Sequence, residues 1–150
     1  MIEQLLRQRR IKRITTDLSQ IEQWLSQSNA DLKLAKELIN RDPHWALTIA
    51  YQALLRAGRS LMFSAGYLPR SSGTHKTVVE YTQNAIGKDF LPLVRSFERL
   101  RRKRHDFFYN VMIGISLDEA TKAVKDAKLL TKIITGQIKK RHRQLRLFRQ

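Results

Sequence analysis

The sequence has 150 residues and carries 29 Lys+Arg against 13 Asp+Glu, a formal charge of +16. The length suits one domain, and 42% hydrophobic residues are enough for a core, which excludes global disorder; the absence of cysteine excludes a disulfide framework, a thiolate zinc site and a cysteine nucleophile. No stretch approaches the roughly 20 apolar residues that span a bilayer, and Met1 to Arg13 lacks the apolar run of a secretory signal, so a cytoplasmic protein is expected.

Helical periodicity dominates from end to end, with no convincing run of alternating strand residues. Residues 1–14 read as a basic N-terminal extension, with a helix over 2–14 ahead of the body. The first long helix spans Leu18 to Ile39, with Trp24, Leu25, Leu32, Ala35, Leu38 and Ile39 as core positions; Ser26, Ser28 and Asn29 mark a place where it could break or be capped anew. Asp42-Pro43 supplies an N-cap and a first-turn proline for a second helix to Ala65. Ala46, Ala50, Ala53 and Ala57 place a small-residue stripe on that helix, as close packing in a bundle requires.

Gly66 ends the second helix, and Pro69, Ser71, Ser72 and Gly73 read as a surface loop that also holds His75. A short helix from Lys76 to Ala85 follows and closes at Gly87. The next begins near Asp89, carries Phe90, Leu93, Val94, Phe97 and Leu100, and runs into a basic cluster. Ile113-Gly114-Ile115 is a break, and Ser116 with Glu119 makes a capping box for a long last helix. Its apolar face is read as Ala120, Val124, Ala127, Leu129, Leu130, Ile134 and Ile138, ahead of a basic C-terminal tail over 139–150. The expectation is one all-α domain over 1–150, an antiparallel bundle of four to five helices.

The cations are clustered. Arg7, Arg9, Arg10, Lys12 and Arg13, then Arg95, Arg99, Arg101, Arg102, Lys103 and Arg104, then Lys139, Lys140, Arg141, Arg143, Arg146 and Arg149 hold 17 of the 29. Three such patches on one small domain suggest a polyanion footprint rather than a solvated face. Only Glu98 to Asn110 has the density of polar chemistry expected of a site. Arg101, His105 and Phe108 share one helical face, and Arg104, Phe107 and Phe108 another; Tyr109 lies a turn and a residue beyond Arg104. Such a group could hold a phosphodiester, with arginine stabilising developing charge and histidine exchanging a proton near neutral pH. His44, His75 and His142 rank lower. No histidine pair has metal-ligand spacing with acidic company, so neither a metal nor a cofactor is expected.

Three passages resemble the HEPN family, small α-helical bundles common in prokaryotes. They are Asn29 to Leu38, then Ala50 to Met62 with Gly66 to Arg70, and Leu100 to Asn110 with the closing helix, together spanning residues 26–136. The family motif is an arginine, a polar residue, three variable positions and a histidine. Arg104 and His105 match its first two positions, and Tyr109 stands in place of the histidine; a second register pairs Arg99 with His105. A phenol ionises near pH ~10 and shuttles protons at neutral pH less readily than an imidazole. The resemblance implies metal-independent RNA cleavage with the motifs of two subunits meeting across a homodimer. It also implies association with a nucleotidyltransferase-type antitoxin in a toxin–antitoxin pair.

The residues assigned to catalysis are therefore Arg104, His105 and Tyr109, with Arg99, Arg101, Arg102 and Lys103 as nucleic-acid contacts. The competing reading is a non-catalytic module that docks on a nucleotidyltransferase-type or other acidic partner. Membrane-surface binding through the tail is the poorest reading, because Leu145, Leu147 and Phe148 are too few apolar anchors.

Overall fold

A computed structural model describes residues 1–70, 74–110 and 114–143. In chain order these form α1 (Ile2–Arg7), β1 (Ile11–Arg13), α2 (Leu18–Leu38), α3 (Pro43–Ser64), β2 (Tyr67–Pro69), α4 (Thr74–Ile86), a 3₁₀ turn (Lys88–Phe90), α5 (Leu91–Tyr109) and α6 (Leu117–Arg141). The architecture is an all-α bundle with one small two-stranded ribbon. No helix among the described residues is long and apolar enough to cross a membrane.

The bundle is organised around α3, which packs against α2, α4, α5 and α6. Its alanine stripe explains this position: Ala46, Ala50, Ala53 and Ala57 are all buried, and without bulk on that line neighbouring backbones approach closely. Asp42 caps the helix by accepting from the Trp45 N–H at 3.2 Å, beside Pro43 at its start. On the α2 side, Ser28 Oγ donates to the Ala53 carbonyl at 3.0 Å and Asn29 Nδ2 donates to the Leu25 carbonyl. Ser28 and Asn29 are thus absorbed by hydrogen bonds, Ser26 is exposed, and the helix is continuous.

Gly58 fixes the other side of α3. A Cβ there would lie 2.5 Å from Val78 Cγ1 and 3.0 Å from Thr82 Oγ1, both on α4, with the Phe97 ring of α5 next. Only a hydrogen at this position lets α3 and α4 come this close, with α5 in ordinary contact.

Several expectations need correction. Residues 2–14 are helical only over Ile2–Arg7; β1 then pairs antiparallel with β2, Ile11 opposite Pro69 and Arg13 opposite Tyr67. The Ile14 N–H to Gly66 carbonyl and Arg70 N–H to Arg10 carbonyl bonds extend the ribbon. Leu5 and Ile11 are buried, so the segment is stitched to the body by its apolar residues. Leu129 is 47% exposed. One residue back from Leu130 turns a helix by about 100°, enough to leave the stripe of Ala127, Leu130, Ile134 and Ile138. The short helix starts at Thr74, which takes His75 out of the loop and into a first helical turn. Ser116 caps α6 as expected, accepting from the Glu119 N–H at 3.1 Å. The Ser72-Gly73 turn, Ile113 in the break and residues 144–150 of the tail lie outside the described residues.

Candidate nucleic-acid interface

Helix α5 is amphipathic in a way that positions charge. Val94, Phe97 and Leu100 are buried against the bundle, and the residues a turn further on project from the same end of the helix. Arg101, Arg104 and His105 line one wall of an open groove of about 410 Å³; Arg59 of α3 and Thr74, His75 and Lys76 of α4 complete it. Three separate helices thus bring three guanidinium groups, a lysine and two imidazoles to one place.

These cations are not equally committed. Arg101 forks onto Glu98, its Nε and Nη2 donating at 2.8 and 2.7 Å, and Arg102 donates to the same carboxylate at 3.1 Å. The Arg101 hydrogen bonds hold the Glu98 carboxyl below its usual value, against a smaller opposing effect of burial. Arg59 and Arg104 form no ion pair among the described residues, and the Nε of each is buried with no hydrogen-bond partner in the protein. A buried charged donor without an acceptor is unfavourable by roughly 1–3 kcal/mol or more. Two of them on one groove create a demand for an anionic acceptor. The Arg104 guanidinium also lies over the Phe108 ring, 4.5 Å from its centroid, which fixes the side chain without neutralising it.

His75, which the sequence ranks below His105, also stands on this groove. Its Nδ1 is 2.9 Å from the hydroxyl of buried Tyr51 on α3. Burial first, and then Arg104, Arg59 and Arg101, hold its imidazole below the ordinary value of 6.5. Burial likewise pushes the Tyr51 phenol above its usual range, despite the opposing pull of Arg104 and Arg101, so it stays protonated. No motif spacing links positions 51, 59, 75 and 104; the only signal was chemical type.

Comparison with known proteins fits this picture. The HEPN domain model matches residues 21–141, most of the chain. The chain belongs to the HEPN family. A comparison with curated proteins finds no match.

The HEPN motif positions are not all brought together. Arg104 and His105 face the groove, but Tyr109 is 80% exposed and its ring packs on His105 at 4.5 Å between centroids, not on Arg104. In the second HEPN register, Arg99 lies beside Ser96, Lys103, Glu119 and Lys122 along the α5–α6 seam, away from the groove that His105 lines. Lys103 faces the same seam and pairs with Glu119 at 3.2 Å. Arg102 is exposed and held by Glu98. Of the four nucleic-acid contacts expected in this HEPN chain, only Arg101 lines the groove. Among the described residues there is no group of three His, Asp or Glu arranged to hold a metal ion.

Proposed function

We propose that this HEPN protein binds RNA, with a backbone phosphate seated in the α3–α4–α5 groove on Arg104 and Arg59. The observation that carries the reading is that Arg59 and Arg104, neither in an ion pair among the described residues and each with an unpartnered Nε, line one open groove together with Arg101 and Lys76. Phosphate is the acceptor that a planar guanidinium fork fits best. Arg101 and Lys76 add counter-charge at the rim, and the wider excess of +16 steers a polyanion toward it.

The reading extends to metal-independent cleavage. The ribose 2′-hydroxyl attacks the adjacent phosphorus as the bond to the 5′-oxygen breaks, leaving a cyclic phosphate and a 5′-hydroxyl; Arg104 stabilises the extra negative charge, His105 beside it takes the 2′-hydroxyl proton, the leaving oxygen gains one from solvent, and Tyr109 stacks on and orients that imidazole. A cytoplasmic toxin acting as a homodimer is the setting in which such an activity makes sense, with a nucleotidyltransferase-type antitoxin as its partner.

One experiment tests both parts. Purified protein is mixed with labelled tRNA and mRNA, with and without EDTA. Retarded RNA supports the binding site, and fragments that persist in EDTA support the cleavage. RNA neither bound nor cut overturns the reading.

A second reading rests on a different observation. Trp45, Phe108 and Tyr109 are large apolar residues left exposed near the α5 terminus, and Trp45 meets Phe108 edge-on at 6.5 Å. A non-catalytic module docking on a nucleotidyltransferase-type or other acidic partner would use such a patch beside the cations. Trp45→Ala separates the two: it abolishes partner capture under the second reading and leaves groove-dependent RNA binding intact under the first.

A further inference from the structure

The groove contains a titratable group, His75 of α4, that faces residues of two other helices. His75 faces Tyr51 and Arg59 from α3 and Arg101, Arg104 and His105 from α5; Glu98 on α5 is engaged by Arg101 and Arg102. On its own helix, Thr74 and Lys76 flank it, and Glu80 is paired with Arg10. Positive charge therefore surrounds the ring, and the nearest carboxylates are already committed.

Resting on the phosphate reading of this groove, we infer that His75 is a proton-coupled contact of the bound phosphate: its imidazole is neutral when the groove holds no anion and becomes imidazolium when one sits among Arg59, Arg101 and Arg104. The geometry serves both states. A neutral ring accepts the Tyr51 O–H at Nδ1. An imidazolium reverses that bond, Nδ1–H donating to the phenol oxygen at the same 2.9 Å separation, because a phenol both donates and accepts. Nε2, which has no protein partner among the described residues, then donates to a phosphate oxygen. One proton passes from solvent to the ring on binding and returns on release; no covalent bond changes.

The electrostatic cause is a change of sign in the surroundings. The guanidinium groups disfavour a further cation until the phosphate offsets them, and the phosphate then favours it. The bound complex holds one proton more than its free components, so affinity increases as pH falls. The rise is confined to the window between the proton affinity of His75 in the complex and its lower value in the free protein.

The test is fluorescence anisotropy with a labelled oligouridylate at fixed ionic strength, from about pH 5 to about pH 8. Affinity is expected to climb by up to tenfold, as an order of magnitude, per unit fall in pH. His75→Gln should remove this slope while His142→Gln, whose imidazole meets the Ser64 carbonyl outside the groove, keeps it, and Tyr51→Phe should weaken it by taking away the acceptor for Nδ1–H. In the unmodified protein, the His75 Cε1–H resonance should titrate at higher pH with oligouridylate than without, a readout that needs no variant. Superimposable pH profiles for the unmodified protein and His75→Gln, or a His75 resonance that titrates identically with and without RNA, overturn the inference. Binding that remains dependent on Arg104 in that case leaves the phosphate site standing. Binding indifferent to both Arg104→Ala and Arg59→Ala removes the site and the inference together.

Discussion

Arg104 and Glu98 stand one and a half turns apart on α5 but have opposite effects on the groove. Glu98 offsets part of the Arg101 charge, whereas Arg104 has no ion pair among the described residues and lies over the face of Phe108. A charge-assisted hydrogen bond contributes about 1.5–3 kcal/mol. Arg104→Ala should accordingly weaken RNA binding by roughly tenfold to a hundredfold in Kd, measured by anisotropy. Arg104→Lys should recover only part of the loss, since an ammonium brings the charge without the fork. Arg104 could be picked out in the sequence as a candidate because Arg104-His105 match the first two positions of the HEPN motif. The proximity of Arg59 and His75 to it could not. They lie 45 and 29 residues from Arg104 in the chain, and helical spacing carries no information across such gaps.

At the level of elements, the groove exists because three helices converge where a glycine stands on the central one. Gly58→Ala would gain up to about 1 kcal/mol of helix propensity in α3. It would also drive a methyl into Val78 and Thr82, an overpacking effect of about 1–3 kcal/mol that outweighs the gain. Thermal unfolding should show a lower Tm. Because the displaced element is α4, phosphate binding should fall with it, and Gly136→Ala on α6, which meets nothing within 4 Å, provides the control. The long helices were legible because their caps and apolar stripes are local: Asp42 with Pro43, and Ser116 with Glu119, mark starts that the structure reproduces. The ribbon was hidden. Strands of three residues are too short to show a period, and their pairing joins positions more than 50 residues apart. Leu129 shows the opposite error, an apolar residue assigned inward on type when its angular position faces solvent.

Across the whole molecule, the charge is less uniform in its use than its sum suggests. Arg10 donates to Thr77 Oγ1 and pairs with Glu80 at 2.6 Å, so one cation of the N-terminal cluster is spent holding α4. The clustered cations are therefore not all free, while the groove, assembled from scattered positions, holds a smaller number and draws on the clusters only through Arg101 and Arg104. RNA affinity measured against salt should report the smaller number. With Arg59, Arg101, Arg104 and Lys76 as the phosphate contacts, log K should fall against log salt with a slope of roughly −2 to −3. A slope several times steeper would mean that the whole excess of charge is in contact.

The ribbon has a practical consequence at the bench. β1 is anchored to β2, the strand just ahead of α4, and Arg10 grips α4 itself beside His75. Met1 is therefore a short lever attached to the wall of the groove. A purification tag or a surface-immobilisation handle placed there would load the element whose position sets the site, so affinities measured on N-terminally tethered protein would report the tether as well as the ligand.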